Sequence, residues 1–207
     1  MDGYNTLKQH FIVGTISLIL IYLSFQLTEA SLAASFARVS FLLLFLTMII
    51  GPIVKLKSPK PGTPPLMHPW TWRGEFGIWF TITGFMHFIL LTMNRPLGSF
   101  IELGGGGYAL ANLLGAIALF WALILSATSC SKAIRMLGLS SWKWIQGFAY
   151  VIFYLTACHY IYFQFFSTHE NSSGPDWFGY LATGMALLVI FLQFTSFFSV
   201  IRNDKRK

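Results

Sequence analysis

The chain contains 207 residues, of which 55% are hydrophobic and 10% are charged, and its mean hydropathy is +0.63. Soluble domains average about 25% charged residues, so this composition excludes a disordered chain and argues against a soluble globular domain. The net charge of +7 would suggest a nucleic-acid partner in a soluble protein. Here the basic residues lie between apolar runs, so we expect them to orient the chain in a membrane, and we expect no nucleic-acid partner.

Six apolar segments follow one another along the chain, at 11–27, 32–54, 76–93, 107–127, 144–166 and 177–201. A helix needs roughly 17–25 residues to cross the hydrocarbon core of a bilayer, and each segment has a length in this range. Helices are favoured because each one satisfies its own backbone hydrogen bonds within the segment. The sequence therefore predicts an all-α membrane protein, with six transmembrane helices that form a single domain over residues 1–207.

The basic residues outside the apolar core of the segments predict the topology. If the N-terminus is cytoplasmic, twelve of them lie on the cytoplasmic side: Lys8, Lys55, Lys57, Lys60, Arg73, Lys132, Arg135, Lys143, Arg202, Lys205, Arg206 and Lys207. The other side then holds Arg95 and the acidic residues Glu29, Glu102, Glu170 and Asp176. By the positive-inside rule, this asymmetry predicts that both termini are cytoplasmic.

Two of the five histidines lie inside predicted spans, His87 in the third and His159 in the fifth. An ionisable residue inside a membrane is costly and is by default a hypothesis of function. The alternative is a neutral histidine that shares a hydrogen bond with a neighbouring helix. His10, His68 and His169 lie in tails or loops, and we expect them to be solvated or interfacial.

The two intramembrane histidines are predicted to lie at matched depth. Both spans run from the cytoplasm outward, and at 1.5 Å per residue both histidines lie roughly 9–10 Å from the outer boundary. Two neutral imidazoles on parallel helices suit an iron bound on both faces of a porphyrin, with Gly84 leaving room for the ring. A bare metal ion is the alternative, although such a site usually has more ligands. We expect the ring nitrogen that is not bound to iron to donate to a neighbouring group or a backbone carbonyl.

Arg38 lies inside the second predicted span, near its outer end and at a similar depth. Two interpretations stay open at this point. The side chain snorkels toward the outer lipid headgroups, or it makes a charge-assisted contact with a heme propionate.

Three stretches within residues 40–166 resemble a known family. They are LLLFLTMIIGPIVKL, RGEFGIWFTITGFMHFILL and ALILSATSCSKAIRMLGLSSWKWIQGFAYVIFYLTACHYIYF. They resemble the ferric reductase-like transmembrane domain, and within that family they are most similar to the heme-binding membrane subunits of bacterial periplasmic methionine-sulfoxide reductase systems. The six-span count agrees with this resemblance.

The resemblance implies heme b bound within the membrane, with His87 and His159 as axial ligands of the outer heme. Relatives usually carry another histidine near the start of the fifth span, where this chain has Gln146, a poor iron ligand. We therefore expect one tightly bound heme, with His68 as an alternative ligand should a second be bound. Arg73 matches an arginine that this branch of the family, the methionine-sulfoxide reductase subunits, carries. We expect Arg73 to share a helical face with His87. We also expect it to meet a flavin phosphate or a heme propionate.

The resemblance further implies an electron-transfer subunit of a reductase system in the plasma membrane, which is the inner membrane of a bacterium. The sequence has no Rossmann fingerprint, so we expect electrons to come from a cytoplasmic flavin reductase or a quinol, with FMN or a quinone as a further candidate cofactor. An external redox partner protein would accept them. The alternatives are a heme-free membrane scaffold or regulatory subunit and a small-solute transporter, although the sequence lacks paired broken helices.

Overall fold

The structure is a computed structural model, and it describes residues 6–28, 30–57, 69–94, 97–100, 108–166 and 174–204. Within these residues 92% are helical and no strand occurs. Six helical segments are long and apolar enough to span a membrane: Leu7–Leu27, Leu32–Leu56, Thr71–Met93, Ala109–Ala127, Leu139–Phe166 and Trp177–Ser199. These segments confirm the predicted all-α fold with six membrane-spanning helices. The cytoplasmic location of the termini stays a prediction.

The described residues form eight α-helices and two short turns of other helix types. The α-helices are α1 (Thr6–Leu27), α2 (Leu32–Leu56), α3 (Pro69–Asn94), α4 (Tyr108–Ala127), α5 (Ser131–Leu137), α6 (Leu139–Gln146), α7 (Ala149–Ile161) and α8 (Trp177–Asp204). A 3₁₀ turn occupies Leu97–Phe100, and a π-helical turn, Tyr162–Phe166, continues α7.

Local sequence explains where several helices begin. The hydroxyl of Ser31 caps α2 by accepting a hydrogen bond of 3.1 Å from the backbone N–H of Ala34, which is the usual role of serine at this position. Asp176 does the same for α8, because its Oδ1 accepts from the N–H of Gly179 at 2.7 Å. Helix α3 begins at Pro69, a first-turn position where the missing proline N–H costs nothing.

Helix α3 is longer than the predicted third segment, 76–93, by seven residues at its N-terminal end. These seven residues include Arg73 and Glu75, whose charges hide the helix from a search for apolar runs. Glu75 is only 6% exposed, and its Oε2 pairs with His10 Nδ1 of α1 at 2.9 Å. The helix therefore continues into a polar region because the neighbouring helix supplies a partner for the carboxylate.

The fifth predicted segment, 144–166, is not one uninterrupted α-helix. Helix α6 precedes a turn at 147–148, helix α7 follows, and the π-helical turn completes the segment. Backbone hydrogen bonds join the turn to both helices, from Gly147 N to Lys143 O at 3.1 Å and from Ile152 N to Phe148 O at 2.9 Å. Because the backbone remains satisfied, the interruption is compatible with a membrane interior.

Helix α2 lies at the centre of the bundle. In its most apolar stretch of 18 residues, 56% of the residues are buried inside the protein, compared with 17–28% in the other five spans. It contacts α1, α3, α7 and α8, whereas α4 packs on α3 and α7. The largest fully buried apolar side chains are Phe41, Met48, Ile152, Phe153 and Val189. The buried interior of the bundle is therefore centred on α2.

The two ends of the bundle carry different charges. We call one of them the basic end, where α2 finishes and α3 begins. Its described cations are Lys8, Lys55, Lys57, Arg73, Lys132, Arg135, Lys143 and Arg202. At the opposite end, Arg38 of α2 forms an ion pair with Asp176, at the start of α8.

Candidate functional site

Two histidines meet in a cavity of about 380 Å³ that lies toward the opposite end of the bundle. His87 enters it from α3 and His159 from α7, and most of the other lining side chains are apolar or aromatic. Small-molecule sites are typically about 300–1,000 Å³ and mostly apolar, with a few polar groups that fix the ligand. The structure therefore brings together the two residues that the sequence singled out.

Each histidine is held by a backbone carbonyl of a neighbouring helix. The Nδ1 of His87 lies 2.8 Å from the carbonyl oxygen of Ala33, and the Nδ1 of His159 lies 2.7 Å from that of Ala111. A carbonyl oxygen only accepts, so Nδ1 carries the proton in both rings and the lone pair of the neutral imidazole lies on Nε2. Both interpretations of these histidines, as heme ligands and as neutral residues bonded to a neighbouring helix, predict such a hydrogen bond. Metal-ligating histidines are usually held in this way.

The position of the His159 ring depends on a glycine in α4. A Cβ atom at Gly115 would lie 2.7 Å from Nδ1 and 2.8 Å from Cε1 of His159, closer than non-bonded atoms approach. Gly84, predicted to leave room for the ring, also lines the cavity, where a Cβ atom would lie 3.1 Å from the hydroxyl oxygen of Ser40. Sequence reasoning did not identify Gly115, although a glycine inside an apolar helix is a signal of close approach.

The donor set of the cavity suits heme better than a bare metal ion. Among the residues that the structure describes, no group of three or more His, Cys, Asp and Glu side chains lies together. Two imidazoles are few ligands for a lone zinc-like ion, whereas the iron of heme takes only its axial ligands from the protein. An apolar wall and two imidazoles whose Nε2 atoms have no hydrogen-bond partner among the described residues fit that requirement.

Arg38 lies near this cavity but is not one of its lining residues. Its side chain is buried, with 7% of the residue exposed, and its guanidinium donates to Asp176, to Thr28 and, at 3.4 Å, to Ser24. Snorkelling toward lipid headgroups therefore does not describe Arg38, because its charge is paired inside the protein. A contact with a heme propionate stays a prediction.

Tyr160 connects the cavity to this ion pair. It lines the cavity next to His159 in sequence, and it packs on Phe178, over whose ring the Arg38 guanidinium lies at 5.7 Å. Its ring packs on Phe41 of α2 and Phe178 of α8, with centroids 5.5 and 5.8 Å apart. No pattern in the sequence indicates this connection, since Arg38 and Asp176 are 138 positions apart.

Arg73 and Gln146 line a second cavity, of about 550 Å³, toward the basic end. Phe80 lines both cavities, so the two are neighbours along the bundle. Arg73 and His87 thus both face the interior from α3, which confirms the predicted shared face. Gln146 Nε2 lies 3.3 Å from the carbonyl oxygen of Leu125, to which it donates. His68, the alternative ligand at this level, lies outside the described residues.

No protein-family model matches the chain, and no curated protein matches it. The resemblance to the ferric reductase-like transmembrane domain therefore rests on the segments quoted above, together with the paired histidines.

Proposed function

We propose that this chain is a heme b electron-transfer subunit of a membrane reductase system. One observation carries the proposal: two histidines on different spanning helices line a single apolar cavity, and each has its Nδ1 held by a backbone carbonyl. That arrangement leaves two Nε2 atoms as the available ligands. Bound at this place, heme supplies a one-electron iron couple.

The residues of the chain would contribute in three ways. His87 and His159 would bind the iron through Nε2, and the carbonyls of Ala33 and Ala111 would fix the orientation of the rings. The apolar side chains of the cavity would exclude water, which helps to set the redox potential. Gly115 would allow the His159 ring to pack directly against α4.

The direction of electron flow follows from the proposed topology. If the basic end is cytoplasmic, the histidine cavity lies toward the outer face, close to an external redox partner protein. A flavin reductase or a quinol would then deliver electrons from the basic end, whose cations suit an acidic protein surface. FMN or a quinone is the candidate carrier between that donor and the histidine cavity.

The test is spectroscopic. We expect the purified chain to give a b-type reduced-minus-oxidised spectrum, and we expect His87→Ala and His159→Ala each to remove or reshape it. Cys158→Ala is the matched control, because Cys158 is exposed, has a free thiol and is the neighbour of His159; it should keep the wild-type spectrum. Wild-type spectra and heme content in both histidine variants would refute the ligand assignment. A chain that binds no heme would favour the scaffold alternative.

A further inference from the structure

Asn112 of α4 adds an amide to the wall of the histidine cavity. It stands in an otherwise apolar stretch of that helix, ALANLLGAIA. A polar side chain inside a membrane-spanning helix is costly, and it normally forms a hydrogen bond to a neighbouring helix. The side chain of Asn112 has no such partner within the part of the chain that the structure describes. Its two N–H groups are therefore left to donate to a ligand in the cavity.

Asn112 is the strongest candidate donor in this wall. The hydroxyl of Ser40 already donates to the carbonyl oxygen of Phe80 at 3.1 Å, and both histidines use Nδ1 for backbone carbonyls. Thr156 and Tyr160 carry one hydroxyl proton each. A threonine inside a helix readily donates its proton to the preceding turn of the same helix. The amide instead brings two protons to the wall from a helix that is otherwise apolar there.

The acceptor that heme offers is a carboxylate. Its pyrrole nitrogens bind the iron, and its edge carries methyl and vinyl groups and two propionates, so the propionates are the hydrogen-bond acceptors of that edge. No lysine or arginine is found among the described residues of the wall. An amide N–H is then the donor at hand for a carboxylate, and a hydrogen bond to a charged acceptor is among the stronger ones.

The position of Asn112 along α4 suits this role. It lies in the second turn of the helix, about 6 Å along the axis from Tyr108, where α4 begins at the end of the bundle opposite the basic end. Carboxylates are least costly close to such an end, because water is near. We propose that the Asn112 amide donates to a propionate of the bound heme and so selects a porphyrin that carries acidic side chains. This inference rests on the proposed function.

The test compares two iron porphyrins that differ at this edge. Iron protoporphyrin IX, which is heme b, carries the propionates, whereas iron octaethylporphyrin carries only ethyl groups. Each is titrated into the full chain, purified in detergent without heme, and the Soret absorbance reports binding. The compared quantity is the affinity of a variant divided by that of the wild type for the same porphyrin, so partition of the porphyrin into micelles cancels.

Asn112→Leu keeps the approximate size of the side chain and removes both donors. We expect it to lower the affinity for protoporphyrin about 10–100-fold, as for the loss of a hydrogen bond to a charged group, and to leave the affinity for octaethylporphyrin at the wild-type value. Asn112→Gln keeps an amide and should restore part of the loss. Ser40→Ala is the matched control, because Ser40 lines the same cavity but its proton is used by Phe80; it should change both affinities by the same factor.

The stability of the heme-free variant provides a second measurement. Asn112→Leu replaces an unpartnered amide by an apolar side chain, so without heme it should unfold at the same temperature as the wild type or a higher one. A lower unfolding temperature would show that the amide supports the fold, and it would overturn the inference.

The titrations also separate this inference from the heme proposal. A loss confined to the porphyrin with carboxylates supports the contact with Asn112. Equal losses for both porphyrins, or no loss for either, would overturn the inference and leave the heme proposal intact. A wild-type chain that binds neither porphyrin would overturn the proposed function and this inference with it.

Discussion

His159 packs against α4 at a point where residue 115 has no side chain. The ring is held there by its hydrogen bond to the carbonyl of Ala111, at 2.7 Å. A methyl group on residue 115 would occupy space that the ring now fills. The orientation of one proposed ligand therefore depends on a residue that carries no functional group.

We predict that Gly115→Ala displaces the His159 ring and breaks its hydrogen bond to Ala111. Loss of such a supporting contact typically lowers metal affinity by about 10–100-fold, so heme retention should fall by a similar factor. Heme titration of the purified variant measures this effect.

Gly184→Ala is the control, because a Cβ atom there meets nothing within 4 Å. It should keep wild-type heme affinity, and as a helical glycine replaced by alanine it should be as stable as the wild type or slightly more so. Equal heme retention in both variants would show that the close approach at Gly115 does not matter.

At the scale of helices, the ion pair between Arg38 and Asp176 joins the centre of the bundle to its last helix. Asp176 has two separate tasks, since its Oδ2 pairs with Arg38 while its Oδ1 caps α8 at Gly179. The guanidinium also lies over the rings of Trp177 and Phe178, at 5.6 and 5.7 Å. The start of α8 is thus fixed by charge, capping and aromatic contact together.

Asp176→Asn separates these tasks, because asparagine still accepts at Oδ1 and caps a helix well. We expect the variant to unfold at a lower temperature in detergent, because the buried Arg38 loses a charged partner, which costs about 1–3 kcal/mol. Exposure of 33% of the Asp176 side chain limits the loss. Arg38→Gln should have a similar effect, and the double variant should lose less than the sum of the two. Strict additivity in this cycle would argue against a coupled pair.

Across the whole molecule, two neighbouring cavities differ in the chemistry of their walls. One contains two histidines, and the other contains cations and Gln146 but no histidine among its described residues. Because the amide of Gln146 already donates to the carbonyl of Leu125 and offers only a weak oxygen ligand, the second level is poorly suited to iron. The contrast leads to a prediction of stoichiometry.

We predict one heme per chain, measured by a pyridine hemochromogen assay on protein of known concentration. A value of two would contradict this prediction. His68→Ala and Gln146→Ala would then identify the residue that holds the second heme, since only the ligand variant should return the count to one.

The charge difference between the two ends also predicts the orientation of the whole chain. A fluorescent protein fused after Lys207 should fold and fluoresce in the cytoplasm, whereas alkaline phosphatase at the same place should be inactive. The same reporters fused after Gly174, before α8, should behave in the opposite way. Active phosphatase after Lys207 would reverse the proposed topology and, with it, the direction of electron flow.

The sequence by itself was sufficient for the number of spans and for singling out two histidines that line one cavity. Hydropathy is a local property, and a helix rises by a constant 1.5 Å per residue, so depth in the membrane follows from counting along each segment. The same local reasoning placed Arg73 and His87 on one face of α3. It failed at the start of α3, where charged residues interrupt the apolar run although the helix continues. It also failed in the fifth span, where the break between α6 and α7 leaves the apolar run unchanged.

Only the tertiary structure decided how the histidines are held and where Arg38 finds its partner. The carbonyl that accepts from His87 is 54 positions away in sequence, and the one that accepts from His159 is 48 positions away. Asp176 is 138 positions from Arg38. Such contacts depend on which helices pack together and on how each helix is rotated about its own axis. The fit of side chains across the whole bundle sets both. At residue 115, for example, a glycine determines how closely the His159 ring approaches α4.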